Sequence, residues 1–307
     1  LFGQLGVARE IAGISGKPFV SPDWYITAPE FASVADLDLT TFNQTEGAVP
    51  RIMFLPMKDV VIKPSPLWLQ CALVALGSKP INNVVDATNY TMLLTAQPTH
   101  AYDYDKLRGK TIGARMADQG ETVKLLNGKT YSLNDTDIVI ADGDGPVGLG
   151  GIMGGCDSDV SESTARIVLE VATFDMYAVR KSSMRHGIFT DALARFNKGQ
   201  SPRQNPYVIS YLSTMVSGLS GAVVAGETTD LCDDFVKQPS MYAEDSFVMK
   251  PDFANARLGL DLSGDQVKSL LSNVELRTEY DPSTDLLDID EPFWRTDIEL
   301  PEDIVEE

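Results

Sequence analysis

From Thr111 to Val168 the chain carries no helical period. Short apolar runs alternate with clusters of Gly, Asp and Asn, a pattern that strands and tight turns satisfy and helices do not. Asn127-Gly128 is the strongest hairpin signal, because a two-residue reversal asks for positive φ at both positions and these residues adopt it readily. Asp137–Ala141 and Ala165–Val171 read as apolar strands around a glycine cluster, Gly148-Leu149-Gly150-Gly151-Ile152-Met153-Gly154-Gly155. Upstream, Ile52–Leu55 and Val60–Ile62 read as two further strands separated by a turn at Lys58-Asp59.

Helices flank this stretch. Residues 1–16 read as one, with Leu5, Ala8, Ile11 and Ala12 at helical spacing and Gly16 as terminator. A polar stretch to about Glu46 reads as loop and edge structure. Ser65 is placed to cap a helix that has Pro66 at its first position, a stripe of Leu69, Leu73 and Leu76, and Gly77 at its end. A second helix follows Pro80, through Asp86 to Leu94, and leads into the extended Gln97-Pro98-Thr99-His100. A long helix is expected from about Thr190 through Phe196, another from about Pro206 to Leu219, and a short one over Asp252–Leu258. Ser263 and Gln266 have capping-box spacing ahead of Val267, Leu270 and Leu271. The aperiodic acidic stretch Gly226–Ser246 marks a domain boundary.

Charge narrows the function classes. Twenty-five basic against forty-four acidic residues give −19, which repels a phosphate backbone. If a nucleic acid is the substrate, most phosphate contacts come from elsewhere. No run of eighteen apolar residues spans a membrane. Cys71, Cys156 and Cys232 are too scattered for a disulfide framework or zinc site, so each reads as a small buried hydrophobe in a reducing cytoplasm. The opening Leu1-Phe2-Gly3 has no initiator Met and no signal-peptide pattern, and reads as a cut inside a longer protein.

A few residues stand out as chemistry. Glu170 is an acid among apolar neighbours from Ile167 to Ala172. Either strand alternation turns it to water, or it is a pocket carboxylate that reads a ligand hydroxyl or amine. His100, one of two histidines, follows a proline-stiffened segment and is either a structural hydrogen-bonding residue or a catalyst. Thr88 and Asn89 lie about a turn beyond Asn82 and Asn83, so this helix is dense in uncharged polar groups that are either solvated or line a pocket. The glycine cluster lacks a dinucleotide fingerprint and a Walker lysine, leaving close backbone approach to a strand or ligand as its use. Asp303, Glu306 and Glu307 share one helical face near Asp297. The set suits Mg²⁺, or is a solvated acidic helix start.

Pro64–Gln70, Pro80–Tyr90, Gln97–Asp103, Gly151–Gly155, Leu169–Asp175 and Gly187–Ala192 with Arg195-Phe196 together resemble the editing region of the phenylalanyl-tRNA synthetase β-subunit family, bacterial type. The likeness covers nearly the whole chain. It implies an α+β fold of mixed or antiparallel sheets with packed helices, plus a small α+β C-terminal domain. Residues 1–46 would end an N-terminal domain, 47–226 would form the editing domain, and 227–307 a linker and the start of a magnesium-site domain.

The resemblance also assigns roles. Tyrosine mischarged onto tRNA(Phe) would be hydrolysed here, with Glu170, Gly154, Gly155, Thr190 and Ala192 forming the tyrosyl pocket. His100, Thr88 and Asn89 would hold the ester and the attacking water. Asp297, Asp303, Glu306 and Glu307 would hold Mg²⁺ beside the catalytic α subunit of an α2β2 enzyme. ATP would enter only in the full complex, since no ATP-binding motif is present. The sequence departs from the family at Ala96, at Asn197–Pro202 and at Met184-Arg185-His186, the last two beside the pocket. Two other readings stand beside editing: a β-subunit piece for assembly with an impaired pocket, and a free-standing amino-acid binding module.

Overall fold

The computed structural model describes residues 3–233, 236, 241–242 and 246–307. Part of the expected boundary stretch, and the first two residues of the expected first helix, lie outside them. The chain opens with helices α1 (Gln4–Ile14) and α2 (Asp23–Ile26) and continues through β1 (Thr40–Gln44) and β2 (Arg51–Lys58). Helices α3 (Leu67–Ala75) and α4 (Asn83–Thr95) then lead into β3 (Thr99–Asp103) and β4 (Thr111–Met116). Next come the hairpin strands β5 (Thr122–Lys124) and β6 (Thr130–Ser132), around the expected Asn127-Gly128 turn, and β7 (Ile138–Ala141). The glycine segment contributes β8 (Pro146–Leu149) and β9 (Met153–Gly154), and β10 (Arg166–Thr173) follows.

Two sheets face one another. The first has order β1-β4-β7-β8-β9, antiparallel except for the parallel β1–β4 pair. The second is antiparallel and has β2-β10-β3 at its centre. Alternate residues of its strands feed two cores. Ile52, Phe54, Tyr102, Val168 and Ala172 pack toward the first sheet. Met53, Leu55, Met57, Ile167, Leu169 and Val171 pack toward α4 and the long helix α7, Asn205–Ser220. Burial on both faces is why β10 reads as a continuous apolar run, and why one acid in it is conspicuous.

Between β10 and α7 lie α5 (Met176–His186) and α6 (Asp191–Phe196). Two short strands, β11 (Val223–Val224) and β12 (Thr229–Cys232), extend the second sheet along β2, so residues beyond the expected division at 226 join this sheet. The remainder is a three-stranded antiparallel sheet, β13 (Phe247–Met249), β14 (Arg277–Asp281) and β15 (Leu286–Asp290), with α8 (Pro251–Leu258), α9 (Gly264–Asn273) and α10 (Pro301–Glu306). The expected capping box of α9 is present. The α+β class with mixed and antiparallel sheets is therefore as expected.

Several local expectations are corrected. Val60–Ile62 is not a strand: β2 runs unbroken to Lys58, and the chain turns at Asp59, φ +59°. The buried Asn83 side chain then takes Val61 O and Lys63 N, satisfying backbone that a ladder would otherwise hold. Ser65 does not cap α3. Pro66 takes that position, and the Ser65 hydroxyl donates to the buried Asp86 carboxylate at 2.5 Å. Helix α1 buries Gly6 and Arg9, only half-buries Leu5 and Ala12, and leaves Ile11 59% exposed. Arg9 explains this: it pairs with Glu275 at 2.8 Å and lies over the Trp294 ring. None of the cysteines is a buried hydrophobe; Cys71 is exposed, and Cys156 and Cys232 are half-buried. The helix from Thr190 is only six residues long, and α5 was not expected at all.

Candidate functional site

Strand pairing sets Glu170 of β10 directly opposite His100 of β3. Both point toward the first sheet, where the glycine segment leaves a cleft. Its apolar walls include Ile140, Met153, Phe174 and Phe196, with Ala192 of α6 at one side and the backbone of Gly148–Gly154 at another.

Glu170 is 6% exposed, so the solvated alternative falls. Its Oε2 accepts a 2.5 Å hydrogen bond from the Tyr102 hydroxyl, itself buried. Burial pushes the Glu170 carboxyl up to about 7, against the downward pull of the Tyr102 bond. The His100 ring stands edge-on to Tyr102 at 4.6 Å, and its buried Nε2 has no hydrogen-bond partner among the described residues. Burial drives the His100 pKa down to about 4, with the Asp159 carboxylate opposing. At neutral pH the imidazole is therefore uncharged and a weak base.

The Glu170 shift has a stability consequence. A folded pKa above the unfolded value makes the carboxyl's contribution fully present below about pH 4 and progressively lost as pH rises through about 7. Glu170→Gln, which cannot ionise, is expected to gain on the parent above neutrality, by up to ~3 kcal/mol near pH 8, and not near pH 4. Urea denaturation at the two pH values reads this, and a gain of equal size at both would contradict the buried carboxyl.

Close approach accounts for the glycines. A Cβ on Gly154 would lie 2.7 Å from His100 Cε1 and 2.8 Å from Nε2, so only hydrogen at this position leaves room for the ring. Gly155 is different: a Cβ there would meet Val147 O at 2.5 Å, so this glycine serves strand packing and does not line the cleft. Thr190 acts from outside the cleft. Its hydroxyl donates to Ile152 O at 2.8 Å and caps α6 through Leu193 N, tying the helix that carries Ala192 to the glycine segment.

Thr88 and Asn89 are not brought into the cleft. The Thr88 hydroxyl turns back to Val85 O, and its carbonyl accepts from Thr99 Oγ1 at 3.3 Å. Asn89 is half-buried on α4 and is not among the residues that line the cleft. The residue that sequence reasoning missed is Tyr102. It lies two positions beyond His100, and the two-residue period of a strand places both on one face.

The C-terminal acids, as placed, do not fit a cation. Arg295, almost wholly buried, takes both oxygens of Asp297 at 2.7 and 3.1 Å and Glu307 Oε1 at 2.6 Å. Asp303 accepts from the Glu299 and Leu300 N–H groups at the start of α10. Among the described residues no group of three or more His, Cys, Asp or Glu side chains is gathered as a metal would require. No helix among the described residues is long and apolar enough to cross a membrane.

An apolar slot ending in a buried carboxyl and a neutral imidazole can seat a ring with a polar tip and position water. The fold around it is that of a known domain class: a profile described as "B3/4 domain" matches residues 48–221, and the chain belongs to that family. A second profile, "tRNA synthetase B5 domain", matches residues 247–307. The similar curated proteins are phenylalanine–tRNA ligase beta subunits. That of Protochlamydia amoebophila is 33% identical over 99% of this chain and 37% of its own length. Those of Latilactobacillus sakei and Moorella thermoacetica are 36% and 35% identical, each over 99% of this chain and 37% and 36% of their own lengths. The chain thus spans little more than a third of the curated relatives it matches. A solved N-terminal fragment of the Pyrococcus horikoshii phenylalanyl-tRNA synthetase beta subunit aligns with 98% of this chain and 80% of its own, at 13% identity and a TM-score of 0.44.

Proposed function

We propose that the cleft hydrolyses tyrosine from mischarged tRNA(Phe), as the editing part of a phenylalanine–tRNA ligase β subunit. The observation that carries this is Glu170, a nearly inaccessible carboxyl set opposite His100 in an otherwise apolar slot. An apolar synthetic pocket rejects an isostere with one added hydroxyl by only about a hundredfold, so a second, hydrolytic site is required. That site has to favour the hydroxyl, and a buried acceptor does so, because phenylalanine leaves it unpaired. His100, with its lowered pKa, is a poor general base at neutral pH. It serves better by orienting water or the ester, so positioning supplies most of the rate.

Glu170→Ala is expected to lower the preference for tyrosyl- over phenylalanyl-tRNA roughly tenfold, the value of one hydrogen bond to a charged acceptor. Hydrolysis of both esters by the assembled enzyme measures it, and an unchanged preference defeats the assignment. One observation favours the assembly-only reading: Tyr102 already occupies Glu170 Oε2. No hydrolysis of either ester would decide for it.

Aminoacylation with ATP, the α-subunit partner and α2β2 assembly belong to the whole enzyme and are proposed only through the relatives. Magnesium on Asp297, Asp303, Glu306 and Glu307 belongs to the same proposal, and would require Arg295 to release two of them.

A further inference from the structure

We propose that Tyr102 is a specificity-determining positioning residue: its phenol holds one oxygen of Glu170 and thereby leaves the other as the sole acceptor for a ligand's hydroxyl. This deepens the editing reading and rests on it. The geometry is the argument. The Tyr102 hydroxyl and Glu170 Oε2 are 2.5 Å apart, both side chains are more than nine-tenths buried, and no described group bonds Oε1. A buried phenol without an acceptor, or a buried carboxyl without a donor, is costly, so each holds the other in one rotamer. Tyr102 also stacks edge-on against His100, so one side chain orders both polar heads of the cleft. The bond is the same kind the ligand would make, phenol to carboxyl, and it fixes the carboxyl plane before the ligand arrives.

The bond also sets when the carboxyl is charged. Among the described residues, the titratable side chains lining the cleft are His100, Tyr102 and Glu170. β2 sets Phe54 opposite Glu170, and the glycine segment and α6 contribute no ionisable group to the lining. Burial raises the Glu170 pKa and the Tyr102 bond lowers it, so removing the hydroxyl moves ionisation to higher pH. A carboxylate accepts a phenol more strongly than a neutral acid does. Tyrosyl preference should therefore rise with pH through the Glu170 ionisation.

The test is the ratio of tyrosyl- to phenylalanyl-tRNA hydrolysis against pH, in the assembled enzyme, with spontaneous hydrolysis subtracted. Tyr102→Phe is expected to move the midpoint of the rise up by about one pH unit and to cut the preference at neutrality about fivefold. Added to Glu170→Gln, it should change neither. Tyr102→3-fluorotyrosine, nearly isosteric and a stronger donor, should move the midpoint down, and it keeps the test open if the phenylalanine variant does not fold. A Tyr102→Phe or fluorotyrosine midpoint equal to wild type, with Glu170→Gln still lowering the preference, overturns the role of Tyr102 alone. If the wild type hydrolyses neither ester, or Glu170→Gln leaves the preference intact, the editing reading falls and Tyr102 with it.

Discussion

Gly154→Ala is expected to reduce hydrolysis of tyrosyl-tRNA a hundredfold or more while leaving the fold close to its original stability. The added methyl would lie 2.7 and 2.8 Å from two atoms of the His100 ring and 3.4 Å from Leu126 Cδ1, so the ring has to give way. The imidazole, at the end of a flexible side chain, swings away from the methyl, while β3 itself stays held in the sheet by β10. Gly154 has an ordinary φ, so alanine strains no backbone and the whole effect falls on the ring. A displacement of about 1 Å at a positioning group costs on the order of a hundredfold in rate. Gly155→Ala makes the instructive contrast. Its methyl would press on Val147 O, a backbone atom that cannot swing aside, so stability should fall along with activity. Single-turnover hydrolysis and thermal melting of the two variants separate these outcomes. Full activity in Gly154→Ala would mean that His100 does not hold the reacting groups.

How far this site was legible follows from what kind of contact makes it. Glu170 could be read because β10 lies between two cores, and an acid within an apolar run must be paired, titrated or functional. Tyr102 could not be read as its partner, since that bond depends on β3 lying beside β10 across 68 residues of chain. Gly154 and Gly155 look alike in sequence. Yet neighbours in extended chain face opposite ways, so only one of them could reach the cleft. Thr88 and Asn89 have the polarity of pocket residues, but the packing of α4 against α7 and β3 decides which of its faces meets the ligand. The C-terminal acids have the spacing of a shared face. What spacing cannot show is that Arg295, two residues before Asp297, folds back as a fork and takes two of them.

Helix α5 was missed for a related reason, and its anchor supports the strongest stability prediction. Val179 is the one apolar side chain it buries, so it has no stripe to betray it; the only signals are Asp175 at its start and Gly187, φ +63°, at its end. What holds it is Asp137, fully buried at the start of β7, which accepts from Ser182 and Arg185 on one oxygen and from His186 and Asn134 N on the other. Asp137→Ala leaves these donors facing an empty space and is expected to cost about 3 kcal/mol or more at neutral pH. Burial alone would raise the Asp137 pKa, but the bonds from Ser182, the Asn134 backbone and His186 outweigh it and hold it below the ordinary value. With a depressed folded pKa, the stabilisation is complete above about pH 4 and is lost as pH falls through the folded value, so the gap between parent and variant should close in acid. Urea denaturation across that range reads it, and a gap that persists unchanged into strong acid would show that the charge does not hold the helix. The effect should reach the cleft as well. α5 leads through Ile188 to the Thr190 cap and to the Ala192 and Phe196 walls, so hydrogen exchange in α6 should quicken together with that in α5.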